Sequence, residues 1–452
     1  MQIDCHHEEG FMIISIPDKL TPVRAVNFAK YIGTLEANCD NFEYDFSAMQ
    51  HCRPFGLLLI AAAIRNNMKR FPRAQHNMIN TEQTQGGRFA ADFGFFQSMG
   101  IDIGIAMEED DVGNRYIPIK KITAANLHKQ YSDTVVLNEK VDRHARVLSD
   151  VLVADLSKEV RTAVQYCFRE IIRNTFEHAN TDSLWVCGQY WPSRNEAEIA
   201  ILDEGIGIYK SLKSNLRIKV NSCSEANMMA LQPGLSSTYG QKQDPFDIWQ
   251  NSGYGLYVAS TLCAMNGGYF VLSSGDATAL INGDGNIQTI YDSLQTGTAV
   301  CLNIRTNSRK LQSFEKTLTA IVSEGERKAR ENGSQRILSA SKVTTVASML
   351  KHIETSLSTD DNSVGVEPIG KNLIPINTQV TFEVLSTIDG DLTGNFEFNG
   401  DKIPGRLTNV TKANKKLYLS HHSKIQAVVR KYKNGVYCLL EPSYYKSKSK
   451  KG

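Results

Sequence analysis

Apolar residues alternate with polar ones, or recur every three to four positions, through most of the first 330 residues, and the two rhythms separate strands from helices. Phe11 to Ile16 and Asn41 to Phe46 read as buried strands, with a shorter strand-like piece from Gln75 to Asn80. Helical spacing runs from Pro22 to about Ala37, from Leu57 to Met68 after a turn at His51 to Gly56, and from Gly87 to Met99. That order predicts a small sheet covered by helices. The clearest helix is Ser157 to Ala179, where Val160, Ala163, Val164, Cys167, Phe168 and Ile171 fall on one face. Further on, Glu198 to Asp203 and Ala299 to Ile304 read as strands, and an apolar segment runs from Asn251 to Met265. The Asn282-Gly-Asp-Gly285 stretch is a hairpin-turn signal before the last of these strands.

Between these elements the pattern weakens. Asp102 to Val141 is mixed and carries the acidic patch Glu108 to Asp111, which reads as a solvated loop. Ile208 to Ser252 is long and rich in Ser, Asn, Gln and Gly, as functional lids are. Ser308 to Asn332 is charged and helix-prone, with a second helix expected to about Leu357 and a linker from Ser358 to Gly370. Short β-branched runs broken by Asp389-Gly390, Asn399-Gly400 and Asn434-Gly435 then predict a small β-barrel.

Composition narrows the class. At 452 residues and 41% hydrophobic content the chain suits a soluble protein of about three domains. The longest apolar run, Phe55 to Ile64, is too short to span a bilayer, and the N-terminus lacks a signal pattern, so no membrane association is expected. Nine unpaired cysteines without a Cys-x-x-Cys spacing argue against disulfides and zinc, and for a cytoplasmic location. Cys5-His6-His7 and His421-His422 are read as solvated polar residues rather than metal ligands. Net charge is only +2, but residues from Asp401 onward hold 13 Lys and Arg against 2 Asp and Glu. The preceding 400 residues therefore hold 37 basic against 46 acidic. That asymmetry bears on partners.

Candidate chemistry sits between Ser157 and Arg305. Glu170 and Asn174 stand one helical turn apart, a carboxylate and an amide able to polarise water and hold a hard cation. Asp203 closes a strand and leads into Gly205 and Gly207, where the backbone can turn sharply against a ligand. Gly253, Gly255 and Leu256 open a helix, whose free N–H groups suit phosphate. Gly297-Thr298 leads the final strand.

In that order the four motifs resemble the GHKL ATP-binding fold of gyrase B, heat-shock chaperones, histidine kinases and MutL. The resemblance covers about a third of the chain. It implies an α/β sandwich binding ATP and Mg²⁺, with Asp203 on the adenine amine, Thr298 supporting it, Asn174 on Mg²⁺ and Glu170 activating water or a hydroxyl. Residues 208–252 would be the ATP lid, where Lys213, Arg217, Lys219 and Lys242 would meet phosphates. The first hundred residues are similar in element order to a STAS domain, the fold of anti-anti-sigma factors. Pro54-Phe55-Gly56 stands where that family carries its phosphorylated serine, so the resemblance does not extend to a phosphoswitch.

The predicted organisation is α/β and multidomain: a STAS-like domain over 1–102, a connecting region over 103–145 and a GHKL domain over 146–306. A helical linker over 307–371, a basic β-barrel over 372–442 and a disordered tail over 443–452 follow. The resemblance and the lack of a recognisable histidine-bearing helix imply an ATPase whose lid closure alters contacts between domains, with a protein partner, or between protomers of a homodimer. A serine/threonine protein kinase similar to anti-sigma factors is the first alternative, prompted also by Asn174-x-x-x-His178. A nucleotide-gated module that does not hydrolyse ATP is the second. Lysines interleaved with Tyr418, Tyr432, Tyr437, Tyr444 and Tyr445 make nucleic acid a further candidate partner.

Overall fold

The computed structural model describes residues 5–8, 11–36, 40–104, 115–123, 125, 134–153, 155–235, 253–283, 287–331, 379–388, 391–398, 401–407, 424–433 and 436–440. The chain forms two compact units, residues 1–360 and 361–452. Both helices and strands are abundant, which makes it a mixed α/β protein. Among the described residues, no helix is long and apolar enough to cross a membrane.

The first unit begins with a four-stranded sheet in the order β1 (Cys5–Glu8), β2 (Phe11–Ser15), β4 (Asn41–Asp45), β6 (Gln75–Ile79). The pairing is parallel except between β1 and β2. Helix α1 (Pro22–Thr34) starts where the Thr21 hydroxyl caps Arg24 N–H and Pro22 takes the first helical position. Helix α2 (Pro54–Arg70) also starts on a proline, and two short parallel strands, β3 (Lys19–Leu20) and β5 (His51–Cys52), hold the two helix starts side by side. Helix α3 (Gln85–Asp92) is shorter than the periodicity of Gly87 to Met99 predicts. Gly94 adopts φ +75° and ends it, and Gln97–Met99 forms only a 3₁₀ turn.

A second, five-stranded antiparallel sheet follows in the order β10 (Tyr269–Ile281), β11 (Ile287–Arg305), β9 (Glu196–Asp203), β8 (Ser183–Trp191), β7 (Tyr116–Thr123). All eight residues of β9 are buried. Successive side chains point to opposite faces. Accordingly Ile199 and Ile201 join a core with Phe168, Ile172, Val258 and Leu262, contributed by α5 (Lys158–His178) and α8 (Gly255–Met265). Helices α4 (Thr134–Val153) and α9 (Phe314–Glu331) add Leu148, Leu152, Leu318 and Ile321 to that core. Ala200 and Leu202 face the other way, with Cys187, Val271, Ala299 and Cys301, and belong to the core built by α1, α2, β2 and β4.

The N-terminal hundred residues and the larger sheet therefore share one core, where the sequence predicts two separate domains. The region expected to be a solvated connection also differs. Its described parts are strand β7, whose Ile117, Ile119 and Ile122 are buried, and helix α4. Polar Lys120 and Lys121, next to a register shift, obscured that strand's alternation.

Charged groups pin the two parts together. Glu198, wholly buried, accepts from Arg53 Nε at 2.6 Å, Phe55 N–H at 3.2 Å and the Tyr269 hydroxyl at 2.5 Å. Arg53 also pairs with Glu196, which accepts from Asn303 Nδ2 at 2.7 Å and meets Arg305 Nη1 at 3.0 Å.

In the second unit, strands β12 (Gln379–Ile388), β13 (Asp391–Phe398), β14 (Asp401–Leu407), β15 (Lys424–Lys433) and β16 (Val436–Leu440) pair in the closed circuit β12-β13-β14-β16-β15. Val380, Phe382, Val384, Leu392, Phe396, Leu407, Ala427 and Leu439 fill its centre. The expected second helix to Leu357, the 358–370 linker, the 443–452 tail and the tyrosine side chains of this unit lie outside the described residues.

Removing one partner of a buried ion pair leaves the other charged and unpaired, so Arg53→Ala is expected to cost about 3–5 kcal/mol. Urea unfolding at neutral pH reads this directly. Coincident midpoints for the variant and the parent would show that Glu196 and Glu198 do not depend on Arg53.

Candidate functional site

The C-terminal end of β9, the last turns of α5 and the first turn of α8 converge on a cleft with about 780 Å³ of empty space, its mouth included. Helix α5 is capped by the Ser157 hydroxyl and presents Ile171, Asn174, Thr175 and His178 to the cleft at helical spacing. Antiparallel register sets Thr298 of β11 opposite Asp203 of β9. Both line the cleft, together with Gly207, Gly253, Gly255 and Leu256.

Asp203 is 4% exposed. Its Oδ1 accepts from Gly205 N–H at 2.9 Å and from Thr298 N–H at 3.2 Å. Among the described residues no protein donor meets Oδ2. Burial pushes this carboxyl up to about 6 from an ordinary 3.8, against the two N–H bonds that favour its charged form. Gly205 itself does not line the cleft; it packs against the Ala179 carbonyl, which also accepts from Ile206 N–H at 2.9 Å.

Helix α8 begins without a side-chain cap. Gly253, at φ +71°, turns the chain into it, a conformation that favours glycine. A Cβ on Gly255 would stand 2.6 Å from Glu170 Oε2 and 3.4 Å from Asn174 Nδ2, so a side chain there would require the Glu170 carboxylate to move.

Glu170 is the candidate that lies apart. It is buried behind the cleft rather than lining it. Arg169 Nη1 donates to its Oε1 at 3.0 Å, and Arg173 Nη2 lies 3.4 Å from Oε2. Asp142 of α4 meets Arg169 Nε at 2.5 Å. His178 lines the cleft, and burial together with the Arg173 charge lowers it to about 4, so its ring is neutral at physiological pH. The described part of the expected lid consists of α6 (Gly207–Lys213), α7 (Cys223–Ala230) and the turns around them; 236–252, with Lys242, is outside the described residues. Lys213 donates to the Tyr209 hydroxyl at 2.9 Å rather than projecting alone.

Sequence patterns did not reveal three contributions. Ser274, buried within β10, donates to Gly297 O at 2.8 Å and accepts from Ile208 N–H at 2.9 Å, which ties the two loops around Asp203 together. Its one signal was a pair of serines directly after the apolar run Tyr269 to Leu272. Arg169 and Arg173 looked like the polar face of α5, yet both are buried. Glu204 reaches away from the cleft to α2, where Arg65 Nε lies at 3.0 Å and Lys69 Nζ at 2.7 Å. Arg65 in turn stands 4.3 Å over the Trp185 ring.

Comparison with protein-family models and with curated proteins gives no match for this chain.

An acid whose folded-state value is raised from 3.8 to about 6 contributes stability below pH 3.8 and loses it as pH rises through 6. Asp203→Asn removes that dependence. The variant's stability should rise relative to the parent by up to about 3 kcal/mol between pH 4 and pH 7.5, at about 1.4 kcal/mol per unit. Denaturant unfolding at both pH values measures it; a stability difference that ignores pH would show that Asp203 is not held against its charge.

Proposed function

We propose that this chain is a Mg²⁺-dependent ATP-binding protein of GHKL type, with the cleft as its nucleotide site. Asp203 carries the reading. A buried carboxylate with one oxygen fixed by two backbone N–H groups, and the other without a donor among the described residues, is suited to accept from a ligand donor such as the exocyclic amine of adenine. Asn174, one wall away, offers an amide oxygen to Mg²⁺. Among the described residues no group of three His, Cys, Asp or Glu forms a cage. That suits Mg²⁺, which is commonly bound through few protein ligands together with substrate phosphates. The uncapped start of α8 at Gly255 supplies N–H groups for those phosphates; Gly207, Leu256 and Thr298 shape the remaining walls, and Gly205 packs behind them and fixes Asp203 through its N–H.

Bound ATP would supply the phosphoryl group, and Mg²⁺ would neutralise its charge. Glu170 is the residue suited to hold a proton from the attacking water, making the protein an ATPase whose nucleotide state governs lid closure and contacts with a protein partner or a second protomer. Its place between Arg169 and Arg173 favours a second reading, in which the nucleotide gates binding without turnover until those ion pairs open. Transfer to a protein hydroxyl, as in a serine/threonine kinase, uses the same residues with a different acceptor. The basic second unit is the part suited to nucleic acid, by charge alone.

Calorimetric titration of Asp203→Asn with a non-hydrolysable ATP analogue should lose binding, because an amide N–H turned to an amine leaves a buried mismatch costing about 1–3 kcal/mol. Unchanged affinity would sink the assignment. Glu170→Gln should bind the analogue as the parent does and turn ATP over at least about 10²-fold more slowly. With γ-labelled ATP, label released as phosphate supports the ATPase, label retained on protein the kinase, and no turnover the gated module.

A further inference from the structure

At the other end of β9 a second cavity, also with about 780 Å³ of empty space including its mouth, opens beside the starts of α1 and α2. Lys19, Thr21, His51, Arg53, Trp191 and Arg194 form most of its wall, and no carboxylate among the described residues lines it. Parallel pairing sets Lys19 directly beside His51, and Arg194 joins the wall from the turn that follows β8.

The charges around this cavity do not cancel. Glu196 and Glu198 are matched by Arg53 and Arg305, and Asp18 by Arg24. Arg53 is thus committed, with its guanidinium 4.8 Å over the Trp191 ring. Among the described residues, Lys19 and Arg194 have no carboxylate partner, and His51 bonds through its backbone N–H to Asp18 O at 3.0 Å while its ring has no hydrogen-bond partner. Thr21 accepts from Arg24 N–H, which leaves its own O–H proton free to donate. Two surplus positive charges, an imidazole and a hydroxyl therefore face one concave space with a rigid aromatic wall.

We propose that this cavity binds a small phosphate-bearing dianion, a phosphomonoester or a diphosphate, held by Lys19, His51 and Arg194. Two unmatched charges suit a dianion, and arginine and lysine donors suit phosphate oxygens. The site is separate from the cleft. Seven residue steps along β9 divide Glu196 from Asp203, roughly 23 Å at about 3.3 Å per residue, well beyond a screening length of about 8 Å. It does not depend on what the cleft binds.

Isothermal titration of the full chain with pyrophosphate and with inorganic phosphate, each at fixed ionic strength, tests the proposal. Pyrophosphate should bind the parent with Kd below about 1 mM, and Lys19→Ala/Arg194→Ala should weaken it at least about tenfold. Arg309→Ala/Lys316→Ala, which removes equal charge from exposed positions elsewhere, should leave it unchanged. All these side chains are exposed, so unfolding midpoints should stay at the parental value and exclude misfolding as the cause. Absence of binding to the parent, equal affinity in the Lys19/Arg194 variant, or equal loss in the control variant would each overturn the proposal.

Discussion

Strand β9 has no exposed residue, and that one constraint shapes the first unit. A strand at the middle of a sheet with apolar side chains on both faces needs cover on both. Helices α5 and α8 cover one face through Ile199 and Ile201, and α1 and α2 cover the other through Ala200 and Leu202. The first hundred residues are consequently not an appendage. Without them Cys187, Ala200, Leu202, Val271, Ala299 and Cys301 would face water, and the sheet that carries the cleft would lose half of its packing.

Burying this interface brings carboxylates with it, and their treatment differs at the two ends of β9. Glu196 and Glu198 are satisfied by arginine, tyrosine, asparagine and a backbone N–H, so they act as fasteners. Among the described residues Asp203 receives two backbone N–H groups, both on one oxygen, and burial pushes it up to about 6. The two glutamates are fully bonded within the fold, whereas Asp203 keeps one oxygen without a donor among the described residues.

Most of the elements were legible because their periodicity is strong: α5, β2, β4, β9 and α8 lie within a few residues of where the apolar pattern puts them. The cleft residues were legible too, since Asn174, Asp203, Gly207, Gly253, Gly255, Leu256 and Thr298 all meet there. What the pattern could not carry was contact between distant segments. The shared core uses small side chains, Ala200, Ala299, Cys187 and Cys301, whose burial has no distinctive periodic signature on the second face. Arg169 and Arg173 have the spacing of a solvated helix face, and only the tertiary fold encloses them with Asp142 and Glu170. Strand β7 was hidden because its buried isoleucines are interrupted by a register shift and two lysines.

Adjacent residues 203 and 204 point to opposite sides of the same sheet edge, and both side chains are held. Asp203 is fixed by N–H groups in the loops that frame the cleft, while Glu204 is gripped by Arg65 and Lys69 on α2. One planar peptide unit joins the two residues, so anchoring Glu204 narrows the backbone settings open to Asp203. The aim of the Asp203 acceptor is thus inherited from a helix that never touches the cleft. Substitutions in α2 at positions 65 and 69 would therefore bear on the setting of Asp203 as well as on the packing of α2.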